Sequence, residues 1–396
     1  MKVQLANRMN SIQASEIREL LKLTEKPEII SFAGGLPDPN VFPIEELKKI
    51  ACSVLDETGK EALQYAPTEG YTRLRNQISQ RMNKRFGTQL TGSNILITSG
   101  SQQGLDLSGK IFLNEGDTIL CESPTYLGAI NAFNAYKPRY IEIPTDESGM
   151  DIQALEKTLL NEKKIKLIYA IPDFQNPTGR TWSEKRRRQF MQVMRQYDIP
   201  VIEDNPYGEL RYEGTPIPSL NALDHRGQVI FLGTFSKTFC PGLRLGWVAA
   251  DEATLKHYIL SKQGLDLHTS SLSQRELSRF LEIYDMDTHI DKIRNVYKRR
   301  RDLMINTMKS TFPQEIHYTE PNGGLFCWVT VPEYIDTKEV LIKSIKNNVA
   351  FVPGESFYPN SKKKNTLRLN YSNASDENIV IGITRLAKML NEFIKH

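Results

Sequence analysis

Two side chains with different chemistry lie close together in residues 229–248, VIFLGTFSKTFCPGLRLGWV. Lys237 follows an apolar run, Val229 to Leu232, that is typical of a buried strand, and then a short polar turn. An amine at the mouth of such a strand loses its charge through desolvation and nearby cations, which makes it a nucleophile toward carbonyl groups. Arg244 retains its charge and suits a phosphate group.

Together the amine and the guanidinium indicate an aldehyde that carries a phosphate group, and pyridoxal phosphate (PLP) is such a compound. The alternative is an ordinary lysine and arginine on a surface loop between two strands. This stretch alone leaves both interpretations open. Residues elsewhere in the chain are needed to distinguish them.

Short apolar strands alternate with helical patterns between about residue 94 and residue 250. This alternation predicts a mostly parallel α/β sheet. Ligands of such sheets bind beyond the carboxyl ends of the strands. The candidates that follow predicted strands are the turn at Gly100, Asn176, Asp204 and Lys237.

The turn at Gly100 has the pattern of an anion site. A strand over residues 94–98 runs into the polar segment SGSQQG, residues 99–104, and a helix is predicted over residues 105–112. The free amide groups and the dipole at a helix N-terminus favour phosphate. Many turns of this kind bind nothing, so the pattern supports a phosphate site without establishing it.

The pattern changes at about residue 286, where a long basic helical stretch is followed by three apolar strands and a closing helix. This part of the chain predicts a smaller α+β domain. We therefore expect an N-terminal arm with a helix over residues 11–24 (1–45), a large α/β domain (46–285) and a small C-terminal domain (286–396).

Composition narrows the class of protein. The 396 residues carry 51 basic and 47 acidic side chains, a net charge of +4 that is too balanced to argue for nucleic acid or a membrane surface. The chain shows no signal-peptide pattern and no apolar segment of membrane-spanning length. The four cysteines have neither disulfide nor metal-ligand spacing, so we expect a cytoplasmic protein without a metal.

PLP needs more than an amine and a phosphate site. It needs a carboxylate that keeps the pyridine nitrogen protonated so that the ring can act as an electron sink, donors at the ring oxygen, and a flat group against the ring. Each residue has an alternative interpretation when it is taken alone: Asp204 as a helix cap, Asn176 as a turn residue and Tyr126 as a core residue. Their common position at strand ends of one sheet favours a shared site. The full candidate set is Gly100 to Gln102, Tyr126, Asn176, Asp204, Tyr207, Lys237 and Arg244.

The sequence resembles the PLP-dependent aminotransferases of class I/II, which have fold type I, and in particular the branch with 2-aminoadipate, kynurenine and aromatic aminotransferases. The resemblance runs nearly from end to end. Its motifs here are SFAGGLP (31–37), GSQQ (100–103), NPTG (176–179), DNPY (204–207) and SK followed by GLR (236–244). It implies a mostly parallel sheet of the seven-stranded type in the large PLP-binding domain, beside the small α+β domain.

The resemblance also implies a role for each matching position. Lys237 forms the imine with the cofactor and moves the proton at the substrate Cα, Asp204 pairs with the pyridine nitrogen, and Tyr126 stacks on the ring. The other implied contacts are Asn176 and Tyr207 at the ring oxygen, Ser101, Gln102, Ser236 and Arg244 at the phosphate, and Arg368, Gly35 and Asn176 at the substrate. Thr234 departs from the serine that close relatives often carry, and it keeps a hydroxyl group.

Three further positions follow from the resemblance. Tyr71 is expected to reach the phosphate of the neighbouring subunit, which makes the active unit a homodimer. Arg18, on the predicted helix over residues 11–24, is expected to read the distal carboxylate of an acidic substrate, with Ser15 as a neighbouring contact. The alternative for Arg18 is a solvated side chain beside Glu19.

The expected activity is transfer of an amino group from an L-amino acid to a 2-oxo acid, with 2-oxoglutarate as the acceptor. Two other functions use this scaffold. One is the PLP-binding effector domain of a transcription regulator, which the short segment ahead of the first matching helix disfavours. The other is a PLP-dependent lyase, which only the similarity to this branch disfavours. The sequence does not determine the amino donor, since 2-aminoadipate, aromatic, leucine-like and broad specificities all occur in this branch.

Overall fold

The computed structural model describes residues 3–10, 28–360 and 363–394. Ser15, Arg18 and the predicted helix around them lie outside these residues. Within the described ranges, no helix is long and apolar enough to cross a membrane. Cys52, Cys121, Cys240 and Cys327 are all free thiols.

An eight-stranded sheet forms the centre of the larger part of the molecule. Strand β9 is antiparallel to both of its neighbours and β5 is antiparallel to β4, whereas the remaining pairs are parallel. The predicted mostly parallel sheet is confirmed, with the two-residue β5 as an addition at one edge. In spatial order the strands are β2 (Ile95–Thr98), β9 (Gly246–Ala249), β8 (Val229–Thr234), β7 (Val201–Asp204), β6 (Ile165–Ala170), β3 (Thr118–Ser123), β4 (Arg139–Asp146) and β5 (Gly149–Met150).

Both faces of this sheet are buried. Ile202 and Ile230 pack into one apolar cluster, whereas their chain neighbours Val201 and Val229 pack into another. Because successive side chains of a strand point to opposite faces, these strands read as continuous apolar runs in the sequence. The helices of this part are α1 (Ile44–Ala62), α2 (Thr72–Phe86), α3 (Ser101–Phe112), α4 (Leu127–Asn134), α5 (Ile152–Asn161), α6 (Glu184–Met194), α7 (Leu220–Leu223), α8 (Glu252–Asp266) and α9 (Ser271–Ile283).

An antiparallel four-stranded sheet lies in the C-terminal part. Its spatial order is β10 (His317–Tyr318), β11 (Phe326–Thr330), β14 (Thr366–Asn370) and β13 (Val352–Pro353). The helices here are α10 (Met286–Thr311), α11 (Thr337–Lys346) and α12 (Asp376–Ile394). Short 3₁₀ helices lie at Asn7–Asn10, Pro39–Val41, Gly92–Asn94, Pro241–Leu243 and Gly354–Phe357.

The N-terminal segment joins this C-terminal part through a separate two-stranded sheet. Strand β1 (Ile30–Ser31) runs parallel to β12 (Val349–Ala350). Phe32 is fully buried in the same apolar cluster as Val349 and Leu369. This docking places residues 33–37 at the candidate site described below. There the segment lies between residues of the eight-stranded sheet and residues of the four-stranded sheet.

Candidate active site

Lys237 lies just beyond the end of β8, where the strand turns toward the Pro241–Leu243 helix. Its Nζ donates a hydrogen bond to the carbonyl oxygen of Gly35 at 2.8 Å. Burial, and then the positive charges of Arg368 and Arg244, lower the pKa of Lys237 from 10.5 to about 8. The amine therefore has the reduced basicity that a carbonyl-attacking nucleophile needs.

Asp204 is the last residue of β7 and is almost completely buried. Its Oδ2 accepts a hydrogen bond from the hydroxyl of Tyr169 at 2.7 Å. Burial raises the pKa of Asp204 to about 7, and the Tyr169 hydrogen bond opposes that rise. Among the described residues, Oδ1 of Asp204 has no hydrogen-bond partner. Neither oxygen of Asp204 therefore accepts a hydrogen bond from a helix N-terminus in the described part of the chain, and the interpretation of Asp204 as a helix cap does not fit these contacts.

Arg368 lies on β14 of the smaller sheet, and its guanidinium is buried. Nη1 donates to Oδ1 of Asn176 and Nη2 donates to the carbonyl oxygen of Ala33, both at 2.8 Å. The guanidinium carbon lies 4.1 Å from the ring centre of Phe326 and 5.1 Å from that of Phe357. These contacts fix the plane of the guanidinium group.

The charge of Arg368 is not neutralised by a carboxylate within the part of the chain that the structure describes, and its Nε has no hydrogen-bond partner there. Burial lowers the pKa of Arg368 to about 10. A buried, unpaired guanidinium is costly unless an anion binds to it. This side chain is therefore arranged to receive a negatively charged ligand.

Asn176, Tyr207 and Tyr126 surround the same space. Tyr207 is buried and makes a hydrogen bond with Asn176. Its pKa is raised by burial, and further by the nearby Tyr126 and Asp204. Tyr126 precedes α4, and it also interacts electrostatically with Arg368. The structure therefore brings together Tyr126, Asn176, Asp204, Tyr207, Lys237 and Arg368.

The phosphate candidates lie at the start of α3. This helix begins at Ser101, four residues earlier than the sequence predicts, so Ser101 and Gln102 belong to its first turn. Gly100 precedes it with a φ of 81°, and a side chain there would overlap Nη2 of Arg244. A glycine is required because the backbone is left-handed and the guanidinium packs directly against it.

Ser236 is held by Thr234. The Thr234 hydroxyl donates to Oγ of Ser236 at 2.9 Å and accepts from the Ser236 amide at 3.1 Å. Arg244 also donates from Nη2 to the carbonyl oxygen of Ser99 at 3.2 Å. The threonine at 234 therefore makes, through its hydroxyl, the contacts that position its neighbour.

Gly35 and Tyr71 have different surroundings. Gly35 lies between Lys237 and Phe326, and a Cβ added to it would lie 3.1 Å from the Phe326 ring. Tyr71 precedes α2, and its amide donates to Oε1 of Gln274 at 2.7 Å. The guanidinium of Arg275 lies 4.7 Å from the Tyr71 ring centre. Tyr71 thus contacts α9, and its expected role across a subunit interface stays a prediction.

The residues present fit PLP. Asp204 offers a buried carboxylate oxygen without a partner in the described residues, which matches the pyridine N–H group. The N-terminus of α3 with Arg244 offers donors to a phosphate, and Lys237 offers an amine of lowered pKa. One supporting contact, the hydroxyl of Tyr169 on Asp204, was not found from the sequence, because a tyrosine in an apolar strand reads only as a core residue.

Comparison with known proteins identifies the family of the chain. The profile of the family described as aminotransferase class I and II matches residues 34–386. An aromatic-amino-acid aminotransferase of Thermococcus litoralis is 45% identical over 97% of this chain and 93% of its own. The structure of a Pyrococcus horikoshii kynurenine aminotransferase in complex with PMP has a TM-score of 0.95 at 44% identity, over 99% of this chain and 98% of its own.

A third relative carries a cofactor adduct. The structure of the α-aminoadipate aminotransferase of Thermus thermophilus, complexed with N-(5'-phosphopyridoxyl)-L-leucine, has a TM-score of 0.92 at 38% identity, over 99% of this chain and 98% of its own. These similarities and the fit of the site establish PLP as the cofactor and fold type I as the fold. The chain belongs to the class I and II aminotransferases.

Proposed function

We propose that this aminotransferase moves the amino group of an aromatic amino acid or of 2-aminoadipate to a 2-oxo acid, with 2-oxoglutarate as the acceptor, in two alternating half-reactions. The observation that carries the proposal is the buried guanidinium of Arg368, which lacks a carboxylate partner in the described residues and faces the lowered-pKa amine of Lys237. The names of the similar enzymes support the donor class.

We assign the cofactor contacts from the resemblance to the family together with the contacts described above. Lys237 would supply the amine that binds the PLP aldehyde, and Asp204 would accept the pyridine N–H through Oδ1. Asn176 and Tyr207 would donate to the ring oxygen, and Tyr126 would stack on the ring. Ser101, Gln102, Ser236 and Arg244 would hold the phosphate. When bound, PLP withdraws electrons from the substrate Cα, so that its proton becomes acidic.

The protein's own residues do the remaining work. Arg368 binds the α-carboxylate, and its contacts to Asn176 and Ala33 hold the guanidinium group in place for this task. With PLP bound, Lys237 would be the base that takes the proton from the substrate Cα, since its lowered pKa suits a base near neutral pH. Gly35 accepts the lysine's hydrogen bond through its carbonyl oxygen, and it brings no side chain against the nearby Phe326 ring.

We also propose a homodimer in which Tyr71 reaches the partner's phosphate site. Gln274 and Arg275 on α9 hold the tyrosine at the start of α2, with its ring partly exposed. A ring held in this way is available to a second copy of the chain. Light scattering on the PLP-loaded enzyme checks the assembly, and a monomer that turns over at the full rate would contradict it.

The lowered pKa of Lys237 predicts how the apoprotein takes up PLP as pH changes. Only the neutral amine attacks the aldehyde, and the neutral fraction grows as pH rises toward the lysine pKa of about 8. The rate constant for covalent uptake is therefore expected to rise up to about pH 8 and to level off above it. Stopped-flow absorbance measures this rate. A rise that continues to about pH 10.5, the ordinary lysine pKa, would show that the amine is not perturbed.

The donor and the reaction type are tested by one screen. Purified enzyme is offered each amino acid with 2-oxoglutarate, and both glutamate and ammonia are measured. Glutamate formation with aromatic donors or 2-aminoadipate supports the proposal. Ammonia release without glutamate would instead identify a PLP-dependent lyase.

Replacing Arg18 with glutamine tests whether this residue reads a distal carboxylate. An arginine fixed in a dry pocket would be left unpaired when an apolar donor binds. An arginine that can withdraw would serve acidic and apolar substrates alike. We expect a loss of about tenfold to a hundredfold in kcat/KM for glutamate, 2-aminoadipate and 2-oxoglutarate, with the leucine or phenylalanine half-reaction nearly unchanged.

Arg139→Gln is the matched control for Arg18→Gln, since Arg139 is exposed and pairs with Glu162 at the amino end of β4. It removes the same charge far from the site and should leave every substrate unaffected. Equal losses on acidic and apolar substrates in Arg18→Gln, or no loss on either, would remove Arg18 from the account of specificity.

A further inference from the structure

The hydroxyl of Tyr169 contacts the carboxylate of Asp204. Neither the sequence nor the family motifs pointed to this contact. Tyr169 lies on β6 and pairs in register with Ile202 on β7. Asp204 is two residues beyond Ile202, so the three side chains point to the same face of the sheet. The phenol reaches diagonally along that face to Oδ2 of Asp204, at 2.7 Å.

The surroundings of Tyr169 give it a fixed direction. The side chain is 1% exposed, and its ring packs edge-on against Phe133 with ring centres 5.8 Å apart. The cluster around it is apolar, with Ile202 and Ile230 among its members. A buried hydroxyl in such a place is retained only with a partner, and here that partner is the Asp204 carboxylate.

The two oxygens of Asp204 are thereby distinguished. Oδ2 is occupied by the Tyr169 hydroxyl, whereas Oδ1 has no partner among the described residues. We propose that Tyr169 is a positioning residue, which orients Asp204 and stabilises its ionised form so that the proton of the Asp204–pyridine pair stays on the ring nitrogen. This inference rests on the proposed contact between Asp204 and that nitrogen.

The electrostatics agree with this geometry. Burial in the apolar cluster favours the neutral form of Asp204, and the Tyr169 hydrogen bond favours the charged form. Without the hydroxyl, the carboxylate becomes more basic and takes the proton from the ring nitrogen through Oδ1. The neutral ring is a weaker electron sink, so Tyr169 affects the chemical step without touching the substrate.

Tyr169→Phe tests the inference, with the protonation state of the ring as the readout. The enzyme is loaded with PLP labelled with ¹⁵N in the ring, and its nitrogen resonance is recorded at neutral pH. We expect the resonance to move from the pyridinium position toward the unprotonated pyridine position, and kcat to fall about tenfold to a hundredfold. A pyridinium resonance unchanged from wild type would overturn the inference, whatever the activity. Tyr169→Leu, which also lacks a donor, gives the same readout if the phenylalanine variant is recovered poorly.

Tyr258→Phe is the matched control. Tyr258 belongs to the same apolar cluster, is fully buried, and shares a 2.7 Å hydrogen bond with Ser108. Losing this hydroxyl should lower the melting temperature as Tyr169→Phe does, while the ring resonance stays at the pyridinium position. A comparable movement of the resonance in Tyr258→Phe would show a general effect of core damage and would count against Tyr169.

Asp204→Asn separates the inference from the proposed function beneath it. If this variant moves the ring resonance and Tyr169→Phe does not, Asp204 contacts the nitrogen but the tyrosine does not control the proton. If Asp204→Asn leaves the resonance unchanged, the assignment of Asp204 to the ring nitrogen is itself wrong.

Discussion

Lys237→Ala is expected to lose at least about 10²–10⁴-fold in kcat, because it removes the proposed base at the substrate Cα. It also removes the covalent attachment of PLP, so free cofactor should wash out more easily. The wild-type enzyme is expected to be yellow, and borohydride reduction should fix PLP covalently at Lys237. In the alanine variant, borohydride should leave no cofactor on the protein, as mass spectrometry of the intact chain can show.

Lys309→Ala provides the comparison, since Lys309 is an exposed lysine that pairs with Glu320 on the surface. It should retain both turnover and the borohydride-stable adduct. Normal turnover in Lys237→Ala would end the assignment of Lys237 as the cofactor lysine.

Arg368→Lys is expected to lower kcat/KM about tenfold to more than a hundredfold for all amino acids alike. The lysine keeps a positive charge but cannot form two parallel hydrogen bonds to a carboxylate. A hydrogen bond to a charged group contributes roughly 1.5–3 kcal/mol, which gives the stated range. Initial rates with one aromatic, one acidic and one aliphatic donor measure the loss.

The pattern of that loss matters as much as its size. Every amino acid presents the same α-carboxylate, so the three donors should suffer equally. If Arg368→Lys impaired only the acidic donor, Arg368 would have to be reassigned to a side-chain carboxylate. A preserved kcat/KM for all three would mean that the unpaired guanidinium binds another anion.

The polar ends of strands were the most predictable part of the site. Asn176, Asp204 and Lys237 each follow an apolar run, and parallel strands place such positions at one edge of a sheet. The structure confirms that edge for β6, β7 and β8. The sheet itself was predictable because strands buried on both faces are uniformly apolar and alternate with helices.

Other features leave no local signal. Strand β1 is only two residues long, so it has no periodicity by which its pairing with β12 could be foreseen. In the sequence, Tyr169 looks like any other residue of an apolar strand. Only the three-dimensional structure shows that its hydroxyl contacts Asp204. The direction of β9 also depends on which neighbours it finds, and a short apolar run does not reveal it.

The docking of the N-terminal segment has a consequence for how the enzyme becomes active during synthesis. The Ala33 carbonyl that orients Arg368 is 335 residues away from it in the chain, and the Gly35 carbonyl that receives Lys237 is 202 residues away from that lysine. The ribosome delivers Ala33 and Gly35 long before Lys237, and Arg368 later still, so this segment cannot complete its contacts until β14 has been synthesised. Nascent chains released before β14 therefore lack the buried guanidinium of Arg368 near Lys237, even when their larger sheet has folded.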